Sequence, residues 1–201
     1  MNRINKPDNS RVLKEGMTYE NNKKLLIEVL KKEQNYVCAY TQAKFIATLA
    51  DDVEHFNPYL KGEDNDNYQN WFAVSHKWNL MKGTKNAKAR WDEFQPVLHP
   101  TAEDFEERIN YNDGVYECKD NDVDAKHLIE YLNLNQENLV NDRKNHINGL
   151  KFIFEQCGNN LGELVNYLNN IDPNQKQYLR AIETEFLIKF RDDDTFIGIR
   201  I

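Results

Sequence analysis

The sequence predicts an α+β fold in which helix predominates, and three observations carry that expectation. From about residue 124 to 190 apolar residues recur at three- and four-residue steps, as in HLIEYLNL, ENLVNDRKNHINGLKFIFEQC and LGELVNYLNN. Two short apolar runs around Val53 and Trp71 flank the polar loop GEDNDN. A second pair of short runs, ERIN and VYEC, brackets Asn112-Asp113-Gly114, the composition of a tight hairpin turn.

Taken in order, residues 1–18 have no sustained apolar period and read as an extended arm wrapped on the rest. Residues 19–36 place Tyr19, Leu26, Val29 and Leu30 near helical spacing, with lysines and glutamates between them, an amphipathic helix. CAYTQ and the short apolar stretch AKFIATLA follow. Val53, His55 and Phe56 open an extended piece that Pro58 bends, and NWFAVS is a second strand or the run into a helix. HKWNLMKG has helical composition, with a break near Gly83 and Thr84. After the hairpin the chain is read as helical to about residue 190, the last helix, PNQKQYLRAIETEFLIKF, starting at Pro173. The organisation expected is a first unit over 1–100 and a hairpin plus helical region over 101–201, packed as one body.

Composition narrows the function classes. With 26 Lys+Arg against 33 Asp+Glu the 201-residue chain carries −7, so nucleic-acid binding would need positive charge concentrated locally. No run is long and apolar enough to span a membrane, and the opening MNRINKPDNS lacks the apolar core of a signal peptide. Three widely spaced cysteines, Cys38, Cys118 and Cys157, fit reduced thiols better than a disulfide framework. A cytoplasmic protein is expected.

One constellation carries chemistry. Glu54 and His55 are adjacent on a short strand, Asn70 precedes Trp71-Phe72, and Asn79-x-x-Lys82-Gly83 follows. Phosphodiester hydrolysis needs a group that deprotonates water near neutral pH, and histidine suits it. It also needs a hard cation on the phosphate, which prefers oxygen ligands such as a carboxylate and an amide. Neighbouring strand residues point to opposite faces. In a regular strand, then, Glu54 and His55 cannot both face one metal: either the strand is distorted or one of the two has another role.

The runs VEHFNP and NWFAVSHKWNLMKG resemble the motif of HNH endonucleases, built on a ββα-metal core. That resemblance implies a DNA endonuclease with one divalent cation, Mg²⁺ or Mn²⁺, on Glu54 and Asn79. His55 would be the general base and Asn70 the residue that pins the intervening loop. Beyond the motif, MNRINKP, CAY, PVLHP with NYNDG, and LNLNQENLVNDR are similar to PtuB-type HNH proteins of Septu and retron antiphage systems. This implies a PtuA-type ATPase partner. Two Cys-x-x-Cys pairs that hold a structural zinc in many such proteins read here as Cys38-Ala-Tyr-Thr41 and Ser75-His-Lys-Trp78. Four N or S ligands are needed, so no structural zinc is expected, with Cys38, Tyr40 and Trp78 packing in its place.

Local charge agrees with a nucleic-acid substrate: between His76 and Arg90 lie Lys77, Lys82, Lys85, Lys88 and Arg90 and no acid. His76, three residues before Asn79, is a further candidate ligand or phosphate contact, with an ordinary exposed histidine as the equal alternative. The competing expectation, from a different class, is an adaptor subunit that keeps an HNH shape and works by engaging the ATPase.

Overall fold

A computed structural model of the chain describes residues 1–83, 86–172, 176–191 and 195–198. Among these are nine helices and six short strands, the strands forming three separate two-stranded antiparallel sheets. The fold is α+β and rich in helix. No described helix is long and apolar enough to cross a membrane.

The N-terminal arm is more structured than its sequence suggests. It holds α1 (Arg11–Lys14), whose first turn is capped by Ser10 Oγ accepting from Val12 N at 3.1 Å. Met1, Ile4, Val12 and Met17 are all buried. Thr18 caps α2 (Tyr19–Glu33) in the same way, and Leu26, Val29 and Leu30 form its inward stripe. The helix stops three residues short of the expected end, because Asn35 and Tyr36 adopt positive φ.

β1 (Asp51–His55) and β2 (Trp71–Ser75) pair in continuous register, from Asp51 opposite Ser75 to His55 opposite Trp71. Helix α3 (His76–Gly83) begins at the next residue and packs across both strands. After α4 (Ala87–Glu93) and α5 (Phe105–Arg108) comes the expected hairpin, β3 (Ile109–Asn112) and β4 (Val115–Cys118). Its turn puts Asp113 and Gly114 at φ +41° and +85°, which suits Asp-Gly. A Cβ on Gly114 would also lie 2.9 Å from Lys144 Cγ.

Helices α6 (Val123–Tyr131), α7 (Glu137–Gln156) and α8 (Leu161–Asn170) occupy the expected stretches. The last segment differs. Helix α9 is only Leu179–Phe186, and Leu187 leaves it in the left-handed region at φ +51°. The chain then forms β5 (Ile188–Phe190), paired with β6 (Phe196–Gly198). The expected helix start at Pro173 lies outside the described residues.

The β1–β2 ribbon lies between two apolar clusters. Val53, Trp71 and Ala73 face a smaller one built with Leu26, Val29 and Leu30 of α2. Phe72 and Val74 point the other way, into the main core with Tyr40, Phe56, Leu128, Tyr131, Ile147 and Ile182. That core draws on residues from both sides of position 100, and Tyr178 N donating to Gln42 O at 2.9 Å ties the two halves further.

Candidate functional site

β1 is regular, with no bulge in its pairing, so its side chains alternate. Val53 and His55 face α2; Asp52 and Glu54 face α3. Of the alternatives open from sequence, the undistorted strand is the one found: Glu54 and His55 occupy opposite faces. They nevertheless line the same cleft, of about 650 Å³, which runs along the unpaired edge of β1. Tyr19 and Lys23 of α2 form one wall of the cleft, and Asn79 and Lys82 of α3, Asn86 just ahead of α4, and Lys88 of α4 the other.

On the α2 side, His55 is only 3% exposed. Its Nε2 lies 2.8 Å from Asp66 Oδ2, and the Tyr19 ring packs edge-on against the imidazole at 4.6 Å. Asp66 is itself held: its Oδ1 accepts from Trp71 Nε1 at 2.8 Å and Asn70 Nδ2 at 3.2 Å. An ionised carboxylate only accepts, so Nε2 carries the proton and Nδ1 keeps its lone pair. Burial pushes the His55 pKa below its ordinary value, against the opposing pull of Asp66. The ring is therefore neutral at pH 7 and competent to take a proton.

Asn70 closes the loop between β1 and β2. Its Oδ1 accepts from Asn57 N at 2.7 Å, its Nδ2 donates to Asn57 O at 3.1 Å, and Phe56 N donates to Asn70 O at 2.9 Å. Both ends of a fifteen-residue excursion (56–70) are thus clamped beside His55.

On the α3 side, a two-residue step along β1 meets three-residue steps along α3. Asp52 Oδ2 accepts from Asn79 Nδ2 at 2.8 Å and lies 2.6 Å from His76 Nδ1. Glu54 pairs with the Lys82 ammonium, which also donates to His55 O at 2.9 Å and Phe56 O at 3.2 Å. Lys82 is 5% exposed, and burial lowers its pKa although Glu54 opposes the shift. Its charge is satisfied inside the protein by Glu54 and two carbonyls.

The remaining basic residues divide by position. Arg90 donates through Nη2 to Glu130 O at 3.2 Å and Tyr131 O at 3.0 Å, capping the carbonyl end of α6. Lys77 and Lys88 are exposed, over the rings of Trp78 and Tyr59. Lys85 lies outside the described residues. The opposite wall carries two cations that no local basic run announced: Lys23 and Lys61, both exposed and 5.3 and 5.5 Å from the Tyr19 ring centre.

For a cation, the wall offers Glu54, the Asn79 carboxamide and Asp52, an all-oxygen set of the kind hard divalent ions take. The Lys82 ammonium, enclosed by a carboxylate and two carbonyls, is a cation already seated among such oxygens. Among the described residues no three His, Cys, Asp or Glu side chains gather as a metal cluster, so an ion here would depend on the amide and on water. In the Cys38-Ala-Tyr-Thr41 segment, Cys38 is fully buried and its Sγ accepts from Ser75 N at 3.5 Å. Tyr40 packs beside it against Phe56 and Phe72, and Trp78 is half-buried.

No protein-family model, no curated protein and no solved structure matches the chain. Four site residues escaped the sequence reading. Asp52 had a signal, its two-residue spacing from Glu54 on a strand. Asp66 stands among several acids of GEDNDN, and nothing local singles it out. Lys23 and Lys61 reach the cleft only through the tertiary fold.

Proposed function

We propose that the chain is a metal-dependent endonuclease of the HNH type that hydrolyses phosphodiester bonds in DNA, with His55 as general base. The observation that carries this reading is a neutral, Asp66-held imidazole lining the same cleft as the oxygen-rich wall of Glu54 and Asn79. A ββα unit beneath it, strand, long loop, strand and immediate helix, fits the ββα-metal core that the sequence motif resembles.

In this reading His55 Nδ1 takes the proton from the attacking water. Asp66, accepting from Nε2, stabilises the imidazolium that forms and keeps the ring from turning. Glu54 and Asn79 would hold the divalent cation, Mg²⁺ or Mn²⁺, which when bound would supply Lewis-acid stabilisation of the phosphate charge and the departing 3′-oxygen. Lys82 holds Glu54 against β1. The exposed cations Lys88 on one wall and Lys23 and Lys61 on the other, and Lys77, exposed on α3, neutralise backbone phosphates without reading sequence. A PtuA-type ATPase partner and a role as the effector of an antiphage system rest on the flanking resemblance.

Incubating supercoiled plasmid and a matched RNA with the chain in Mg²⁺, Mn²⁺ or EDTA, with and without the ATPase, tests the assignment. Divalent-dependent nicking or linearisation of the plasmid is expected. Cleavage in EDTA equal to that in Mg²⁺ contradicts the metal dependence, and cleavage of RNA alone contradicts the substrate.

The adaptor reading is favoured by one observation: the Glu54 carboxylate is already neutralised by Lys82. An adaptor retains ATPase binding and defence when His55 is lost, whereas a nuclease does not.

A further inference from the structure

We propose that Asp52 is a positioning residue for Asn79, setting which end of the carboxamide faces the cleft; this rests on the reading of Asn79 as a cation ligand. An asparagine amide has two ends of nearly equal size, and rotation about its last torsion exchanges a donor for an acceptor at little steric cost. Left alone, Asn79 would present either its oxygen, which a cation binds, or its NH₂, which repels one.

The structure removes that degeneracy. β1 places Asp52 on the same face as Glu54, and Asp52 Oδ2 accepts from Asn79 Nδ2 at 2.8 Å. A carboxylate offers only acceptors, so the NH₂ end is turned toward β1 and the amide oxygen is left for the cleft that Asn79 lines. The same Oδ2 lies 2.6 Å from His76 Nδ1, in the first turn of α3. Asp52 is therefore held from two points of the helix and fixed relative to both. It acts through Asn79 and is not itself assigned as a ligand.

Outer partners that orient a ligand typically change metal affinity by about tenfold or more when removed. The test is Mn²⁺ binding to the full chain, followed by electron paramagnetic resonance, for wild type, D52A, D52N, N79A and the double variant D52A/N79A. Thermal melting of each accompanies the titrations. The amide that D52N introduces has interchangeable ends of its own, so this variant keeps the size of Asp52 and disturbs the fold least but no longer dictates which end of Asn79 faces the cleft.

The expected pattern is about tenfold weaker Mn²⁺ binding in D52A and a loss in D52N as well, no larger than that in D52A. In the N79A background, D52A should add no further loss, the non-additivity that marks two residues acting as one. Unchanged affinity in D52A overturns the proposal. So does wild-type affinity in D52N, which would mean that the acceptor-only character of Asp52 is not what orients the amide, or a full additive loss in the double variant, which makes Asp52 an independent ligand or a bare charge. The reading beneath it fails separately: if wild type binds no Mn²⁺, or N79A binds as tightly as wild type, Asn79 is not a ligand and the role of Asp52 falls with it.

Discussion

His55 sits where two demands conflict. Burial against Tyr19 favours the neutral ring, while Asp66 favours the charged one, and burial has the larger effect. The consequence for activity has a definite sign. Protonated His55 cannot act as a base, so cleavage should rise through a pKa below about 6.5 and stay flat above it. In D66N the carboxylate that raises the pKa is gone, so the acidic limb should move to lower pH. The neutral amide also supports the forming imidazolium less well, and the plateau rate should fall by about 10²-fold, within the range for general-base assistance. A pH–rate profile of both proteins checks both effects; a D66N profile superimposable on wild type would remove Asp66 from the mechanism. At this scale the sequence was informative about residue types and silent about their orienters. Glu54, His55, Asn70 and Asn79 were nameable because their spacing is local, whereas Asp66 is one of several acids in its loop and only the fold selects it.

The β1–β2–α3 unit is stitched by the pairing of Asp52 with Asn79 and His76, and by that of Glu54 with Lys82. Breaking a buried pair by removing one partner leaves the other charge uncompensated, at a cost of about 3–5 kcal/mol. K82A should therefore lower the unfolding free energy by roughly that amount, read from urea denaturation. A loss below about 1 kcal/mol, the level of a surface pair, would mean that Glu54 is solvated when Lys82 is absent. Element legibility followed signal length. Helices α6, α7 and α8 run nine to twenty residues with clear apolar stripes and were readable. β5 and β6 have three residues each, too few to show alternation, and β5 continues the apolar pattern of α9 beyond Leu187, where the chain turns left-handed. The structure of the N-terminal arm was illegible for a related reason: Met1, Ile4, Val12 and Met17 are buried one at a time, without a period.

At the scale of the whole molecule, two electrostatic consequences follow. Burial depresses the pKa of three histidines: His55, and His99 and His146 to about 4 each. Each is neutral in the folded chain at a pH where the unfolded chain binds a proton. Stability is thus retained above about pH 6.5 and is lost as pH falls from there toward 4, by a few kcal/mol in total. Thermal melting from pH 7.5 to 4.5 should show a falling midpoint, less steep in H99Q; a midpoint independent of pH would contradict the burial argument. The second consequence concerns the cleft. The chain carries −7 overall, yet exposed lysines rim both walls. Removing Lys23 and Lys61 should weaken DNA binding in EDTA equally across sequences and flatten the salt dependence by about one unit per lost phosphate contact, measured by fluorescence anisotropy. An unaltered salt slope would exclude that wall from the interface. The basic run stands in the sequence as a local charge reversal, but sequence could not say which lysines fold inward. Lys82 and Arg90 are engaged internally, while Lys23 and Lys61 arrive from distant segments.

The central claim is that His55 takes the proton in phosphodiester hydrolysis, and plasmid cleavage by H55A beside wild type, at equal metal and with both proteins verified as folded by melting, tests it most directly. Metal-dependent cleavage by wild type that falls at least about 10²-fold in H55A is the predicted result; undiminished cleavage by folded H55A would contradict it.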